Sequence, residues 1–89
     1  NLISSSVLDY LALSDKYSIV EMQVSEPLVG RSLIELNIRA RYGINIVAIK
    51  RNDDIIIKNA AEEVLQWGDI LIAIGSDEDI NRFERKYFQ

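Results

Sequence analysis

Short β-type segments, each closed by a proline, a glycine or an Asn-Asp pair, constrain the fold of this chain more than any other feature. In the first segment, Val20, Met22 and Val24 occupy every second position between residues 17 and 24. This alternation predicts a strand with one buried face, because successive side chains of a strand point to opposite sides. Pro27 ends the segment, since proline has no N–H to donate to a sheet.

A capping box marks the helix that follows this strand. Ser32 is followed three residues later by Glu35, and such a pair satisfies free N–H groups at a helix start. Gly43 can adopt the left-handed conformation that ends a helix. We therefore predict one helix of about two turns from Leu33 to Arg41, since an α-helix has about 3.6 residues per turn.

The second half of the chain predicts three further strands. Residues 44–51 and 55–57 are rich in β-branched side chains and flank Asn52-Asp53, a pattern typical of a hairpin. The turn pair Gly68-Asp69 then leads into the apolar segment 70–74, which predicts the last strand.

Two helical segments complete the pattern. One turn of helix is predicted around residues 60–63, where the run is too short for a longer helix. Ser76 is predicted to cap a final helix, since acidic residues follow it at once and basic residues come later, in the order that complements the helix dipole. Its apolar stripe consists of Ile80, Phe83 and Tyr87.

The N-terminal segment predicts a different kind of helix. Serines 4–6 could cap apolar residues at helical spacing, and we expect residues 1–15 to be a connector helix from a missing N-terminal lobe. Residues 16–89 should form one domain. The predicted fold is α+β, in the order (α)-β-α-β-β-β-α, with a small mixed or antiparallel β-sheet and helices on one face.

The absence of cysteine and histidine removes most enzyme chemistry. No thiolate zinc site, thiol nucleophile or imidazole base is possible, and the acidic pairs lack the spacing of a calcium loop. The net charge of −4 argues against general attraction to nucleic acid or anionic lipid, and no apolar run is long enough to cross a bilayer. We therefore expect a binding module and not an enzyme, with no metal site.

Four stretches of the chain match a known family in their order and spacing. They are Leu8-Asp9-Tyr10 with Leu13 to Glu21, Leu33 to Arg39 with Tyr42-Gly43, Ala48 to Arg51, and Gly68 to Gly75. On these residues the chain resembles the C-terminal lobe of the regulator-of-potassium-conductance (RCK) family, the TrkA-C type domain of bacterial Ktr and Trk potassium transporters. The resemblance covers nearly the whole chain.

The resemblance implies a homodimer with two-fold symmetry, within a larger ring. It implies an N-terminal Rossmann lobe that binds ATP or ADP, and in some Gram-positive members a cyclic di-adenosine monophosphate (cyclic di-AMP) molecule bound between two C-terminal lobes. No other cofactor is implied for this fragment. The partner would be a membrane potassium transporter subunit, which would place the domain in the cytoplasm, peripheral to the membrane, where the ligand is expected to inhibit uptake.

The family's cyclic di-AMP pattern maps onto Leu33, Ile34, Asn37, Arg39, Asn45, Ile46 and Val47. Asn37 replaces the usual aspartate, which keeps size and acceptor capacity but removes the charge. Ala61 stands where relatives often carry a proline that walls the adenine pocket, and it predicts a shallower wall.

Arg39 and Asn45 each have a structural alternative. Arg39 offers a planar fork of donors that fits phosphate oxygens, but it could instead complement the helix dipole or pair with Glu35. Asn45 could hydrogen-bond an adenine edge or a ribose, or it could close a turn beside Gly43.

Leu33 and Ile34 pose a similar choice, because adjacent apolar residues at a helix start usually face different surroundings. Leu33 and Leu36 are the expected core pair, which leaves Ile34 as a ligand or dimer contact.

Three functions remain open on these residues. The first is a regulatory domain of a potassium uptake system that senses cyclic di-AMP. The second is a structural dimerisation or ring-assembly module without nucleotide binding, and the third is a sensor of another small ligand or cation.

Overall fold

A computed structural model describes residues 7–88, which form one antiparallel sheet of five strands with helices against it. The strands are β1 (Val7–Ala12), β2 (Tyr17–Gln23), β3 (Asn45–Arg51), β4 (Asp54–Ile56) and β5 (Ile70–Ser76). The α-helices are α1 (Leu33–Leu36), α2 (Ile38–Tyr42) and α3 (Asp77–Tyr87), and two 3-10 turns span Glu26–Leu28 and Ala60–Glu62. The sheet order is β1-β2-β5-β3-β4, and every strand pair is antiparallel. The predicted α+β class is confirmed.

The core lies between one sheet face and the helices. Val20 and Met22 on β2 pair with Ala73 and Leu71 on β5, and all four side chains are buried. They form one apolar cluster with buried residues of the helices, including Leu36, Ile38, Ile80 and Phe83. Helices therefore cover this face of the sheet, as the alternation in β2 predicts.

The local signals at the helix ends are confirmed. The Ser32 Oγ accepts the Glu35 N–H at 3.2 Å, and the Ser76 Oγ accepts the Asp79 N–H at 3.0 Å. Gly43 takes a φ of 75° and ends α2, while Asn52 takes a φ of 56° in the β3–β4 turn. Ser32 and Ser76 therefore mark the starts of α1 and α3, Gly43 marks the end of α2, and Asn52 turns the β3–β4 hairpin.

The N-terminal prediction was wrong over residues 7–12, which form strand β1 and not a helix. β1 pairs with β2, with Tyr10 opposite Val20, and a turn at Ser14 joins the two strands. The Ser14 Oγ accepts the N–H groups of Lys16 and Tyr17, each at 3.2 Å. Helical spacing in so short a segment is also compatible with a strand, and pairing with β2 decides the outcome. Serines 4–6 lie outside the described residues.

The helix predicted from Leu33 to Arg41 is in fact two helices. Asn37 interrupts it with φ 53° and ψ 44°, the left-handed conformation. Its N–H donates to the carbonyls of Leu33 and Ile34, which closes α1, and α2 begins at the next residue. Asparagine adopts this conformation more readily than most residues with a side chain.

Across residues 7–88, no helix combines the length and the apolar character needed to cross a membrane.

Candidate ligand site

One cavity of about 310 Å³ lies between α1, α2, the start of β3 and the second 3-10 turn. Its lining consists of Leu33, Ile34, Asn37, Ile38, Arg39, Ile44, Asn45, Ile46 and Ala61. Six of the seven residues of the predicted sequence pattern line this cavity, and so does Ala61 at the predicted wall position. Val47, the last residue of the sequence pattern, is half-buried and does not line it.

The break at Asn37 brings the two helical walls of the cavity together. Ile34 lies on α1 and Arg39 on α2, five residues apart. In one straight α-helix these residues would be separated by about 140° around the axis, because each residue turns the helix by about 100°. The left-handed residue between them redirects the chain, so that both border the same cavity.

Leu33 and Ile34 face different surroundings, as predicted. Leu33 and Leu36 are buried in the core, whereas Ile34 is 60% exposed at the cavity. An isoleucine this exposed, beside a concave surface, offers an apolar contact to a flat ring or to another chain.

Arg39 contributes an uncommitted positive charge. Its side chain is exposed and lines the cavity. No hydrogen bond or ion pair joins it to another part of the 7–88 segment, so the alternative pairing with Glu35 is not observed. By contrast, Arg82 nearby donates to the carbonyls of Arg41 and Tyr42 and to Asp79. Within the described residues, the donors of the Arg39 guanidinium are therefore available for an anion.

Asn45 is the first residue of β3 and is exposed. Its side-chain amide has no hydrogen-bond partner in the described part of the chain, so the predicted alternative of a turn bond beside Gly43 is not observed. Buried Ile44 precedes it and packs against Gly75 of β5, which holds the start of β3 in place.

Ala61, in the 3-10 turn Ala60–Glu62, forms another wall of the cavity, beside those from α1, α2 and β3. Ala60 is buried and anchors the turn, while Ala61 is exposed toward the cavity. The chain beyond the turn pairs with the segment before α1: the Leu65 N–H donates to the Arg31 carbonyl at 2.8 Å. This backbone link keeps the Ala61 wall close to α1.

A cluster of charges lies behind this wall. The Arg51 Nε and Nη2 donate to the two carboxylate oxygens of Asp69 at 2.9 and 2.8 Å, and Nη1 donates to the Glu63 Oε2 at 2.8 Å. Burial alone would raise the pKa of Asp69, but hydrogen bonds from Arg51 and from the Gln66 N–H lower it below its usual range. The same two carboxylates raise the pKa of Arg51.

Sequence reasoning missed Ile38 and Ile44 as lining residues and missed the Arg51 cluster. Ile38 and Ile44 match the core pattern, and both are indeed buried. Ile38 directly follows the break at Asn37 and Ile44 directly follows Gly43, and at these two chain turns buried residues also border the cavity. Arg51 and Asp69 are 18 positions apart, and no spacing rule connects them.

The lining of the cavity is mostly apolar. It combines six apolar side chains, two amides and one guanidinium, and it contains no carboxylate, hydroxyl or other group that could act as base or nucleophile. Apolar walls with a few polar groups and one cation suit a ring system that carries an anionic group.

Known proteins share both this sequence and this fold. The family model for the TrkA-C domain matches residues 17–87. Ktr system potassium uptake protein C of Bacillus subtilis (strain 168) is 52% identical over 86 residues, which cover 97% of this chain and 39% of that relative. The chain thus spans well under half of this relative's length.

Two solved structures resemble the fold and are described with the same ligand. The RCK C domain of potassium transport protein KtrA, in complex with cyclic di-AMP, superposes with a TM-score of 0.76 at 53% identity, covering 83% of this chain and 87% of that chain. The RCK_C domain dimer of S. agalactiae BusR, in complex with cyclic di-AMP, gives a TM-score of 0.65 at 33% identity, covering 79% and 88%. With most of its length matched in sequence and in structure, this chain belongs to the TrkA-C domain family.

Proposed function

We propose that this chain is a regulatory domain that binds cyclic di-AMP between two copies of itself and thereby controls a potassium uptake system. One observation carries the proposal. Six of the seven residues of the family's ligand pattern, together with Ala61 at the wall position, line a single cavity, in which the Arg39 side chain has no protein partner within residues 7–88. The related KtrA domain and the BusR dimer are both described in complex with this ligand.

In the proposed complex Arg39 binds the phosphate. Its planar guanidinium can donate two parallel hydrogen bonds to phosphate oxygens, and a bond between charged groups is about twice as strong as one between neutral groups. The net charge of the chain is −4, so the affinity for the dianionic ligand has to come from such a local contact and not from the overall field.

The adenine ring packs between Ile34 on one side and Ala61 on the other, while Asn45 offers an amide to its edge. Apolar faces with a single polar group at the rim are the usual way a protein holds a purine. Asn37 can donate or accept a hydrogen bond toward the ribose.

A two-fold dimer gives each half of the ligand an equivalent site. The cavity of about 310 Å³ lies at the small end of the roughly 300–1,000 Å³ range of ligand pockets, which suits one nucleotide half better than a whole dinucleotide. A symmetric ligand on a symmetric interface would contact Arg39 and Asn45 once in each chain. Exposed Ile34 and Val64 flank this surface and would be covered by ligand or partner.

We extend the proposal to the wider assembly. Because the chain spans 39% of the Bacillus subtilis protein, we place an N-terminal lobe with an ATP or ADP site before the five-stranded sheet, which includes β1. We also place such subunits in a ring, with a membrane potassium transporter subunit as the partner on the cytoplasmic side. A ligand that binds one arrangement of the two lobes more tightly raises the population of that arrangement. We expect the bound ligand to inhibit potassium uptake.

Isothermal titration of cyclic di-AMP tests the proposal. The expected stoichiometry is one ligand per two chains. Arg39→Ala should weaken binding on the order of 10- to 100-fold, because a hydrogen bond to a charged group contributes about 1.5–3 kcal/mol.

Arg41→Ala is the matched control, since Arg41 lies two residues later on the same short helix and does not line the cavity. It should leave the affinity unchanged. If wild-type chain dimerises but gives no heat with cyclic di-AMP at any concentration, the domain is an assembly module and the proposal is wrong.

A further inference from the structure

Arg51 joins the end of β3 to both ends of the segment that follows the cavity wall. Its guanidinium donates to Asp69 through two bonds, to Glu63 through a third, and to the carbonyl of Val64 at 3.1 Å through a fourth. We call these three charged residues, Glu63, Arg51 and Asp69, the clasp. One side chain therefore accounts for much of the polar bonding of this segment.

The clasp and the cavity wall are adjacent in the sequence. Glu63 and Val64 directly follow the 3-10 turn that carries Ala61, and the Glu63 N–H closes that turn by donating to the Ala60 carbonyl at 3.1 Å. Asp69, at the other end, also accepts the Gln66 N–H at 2.8 Å. The position of Ala61 thus depends on how firmly Arg51 holds the residues just after it.

The same segment sets the gap between the two cavity walls. Val64 bridges to Ser32, the residue that caps α1, and Leu65 exchanges backbone hydrogen bonds with Gly30 and Arg31. This short run of backbone hydrogen bonds therefore sets the positions of both Ile34 on α1 and Ala61 on the turn. The clasp links the run to β3. The far end of β3 carries Asn45 and Ile46, so a single strand supports both sides of the cavity.

The two acidic partners differ in burial. The Asp69 side chain is 1% exposed and the Glu63 side chain 36%. Loss of Asp69 would remove the two bonds that the Arg51 guanidinium makes to a fully buried carboxylate, which weakens the fold. Glu63 stands at the surface, where an ion pair contributes little to folding, so the charge that strengthens its bond to Arg51 can be removed without unfolding the domain.

We infer that Glu63 is a positioning residue for the ligand site: through Arg51 it holds the Ala61 wall at the distance from Ile34 that a bound adenine requires. This inference rests on the proposed function. Glu63 does not line the cavity and acts only through the place it gives to Ala61.

The test compares Glu63→Gln with Glu62→Gln in the full chain. Glu62 is adjacent and exposed, and it makes no ion pair within residues 7–88, so the two variants change charge equally. Cyclic di-AMP affinity is measured by isothermal titration. Amide hydrogen exchange over residues 60–66 is measured without ligand. We expect Glu63→Gln to weaken binding about two- to fivefold, the range set by a partly exposed ion pair, and to speed exchange in this segment, while Glu62→Gln changes neither.

Two results would overturn the inference. One is equal affinity for wild type and Glu63→Gln. The other is weaker binding by Glu63→Gln with unchanged exchange, since a positioning role must loosen the wall. Absence of binding by wild-type chain is a different result: it rejects the proposed function, and the inference falls with it, whatever the exchange rates show.

Discussion

A methyl group on Gly75 would stand 2.7 Å from the Cγ2 of Ile44. Gly75 lies on β5, the middle strand of the sheet, and Ile44 directly precedes β3. Ile44 is fully buried and also lines the cavity. Because glycine has no side chain, Ile44 can pack directly against β5 at position 75. This contact positions the start of β3 and therefore Asn45.

Gly75→Ala should lower the free energy of unfolding by about 1–3 kcal/mol, the cost of forcing extra atoms into a packed core. Urea denaturation followed by circular dichroism measures the loss. In an Ile44→Ala background the same change should cost less, because the clashing methyl is gone. Equal losses in both backgrounds would mean that the contact with Ile44 is not the cause.

The left-handed conformation of Asn37 predicts a second stability difference. Asn37→Ala should lower the free energy of unfolding by about 1 kcal/mol, because a side chain in this conformation costs roughly 1–2 kcal/mol and alanine lacks the short polar group with which asparagine offsets part of that cost. Asn37→Gly should stay near wild type, because glycine adopts it without steric cost. Asn37 makes no side-chain cap bond to α2. A glycine variant as unstable as the alanine variant would show that side-chain contacts, and not backbone conformation, set the role of this residue.

The elements whose signals are local could be predicted from the sequence. Alternation in β2 and the caps at Ser32 and Ser76 each depend on neighbouring residues, and all are confirmed. β1 could not be predicted in this way, because only its pairing with β2 separates a strand from a helix of equal length. The break at Asn37 also escaped prediction, since asparagine costs little in a helix interior and no glycine marks the position.

The candidate site likewise contains residues that the sequence could indicate and residues that it could not. Resemblance to the family identified Ile34 and Arg39, although the straight helix predicted for them would have pointed the two side chains in different directions. The actual kink brings them to one cavity. The ion pair of Arg51 with Asp69 depends on closure of the whole intervening loop, so no local pattern in the sequence indicates it.

Asp69 predicts an acid-sensitive stability. Its pKa is lowered in the folded chain, since hydrogen bonds from Arg51 and Gln66 outweigh the opposite effect of burial. The folded state therefore binds the proton less readily than the unfolded chain, whose aspartate pKa is about 3.9. The stabilisation is complete above this value and is lost as pH falls through the lower, folded pKa.

Urea denaturation at a series of pH values from about 6 to 2.5 should show this loss, with the fall concentrated below about pH 4. Asp69→Asn should be less stable at neutral pH and should lose less on acidification. If the free energy of unfolding of Asp69→Asn fell equally steeply at low pH, the acid sensitivity would belong to other carboxylates.

Ala61→Pro should strengthen cyclic di-AMP binding without harming the fold. Ala61 is the second residue of its 3-10 turn, the position that Pro27 occupies in the turn Glu26–Leu28. Its N–H takes part in no hydrogen bond within residues 7–88, so proline removes no bond. The ring adds apolar surface to a wall that alanine leaves shallow, and each buried methylene contributes about 0.8 kcal/mol, or roughly fourfold in affinity. Titration of Ala61→Gly, wild type and Ala61→Pro should therefore give affinities that rise in this order. Equal affinities across the three, with unchanged melting temperatures, would place the adenine away from this wall.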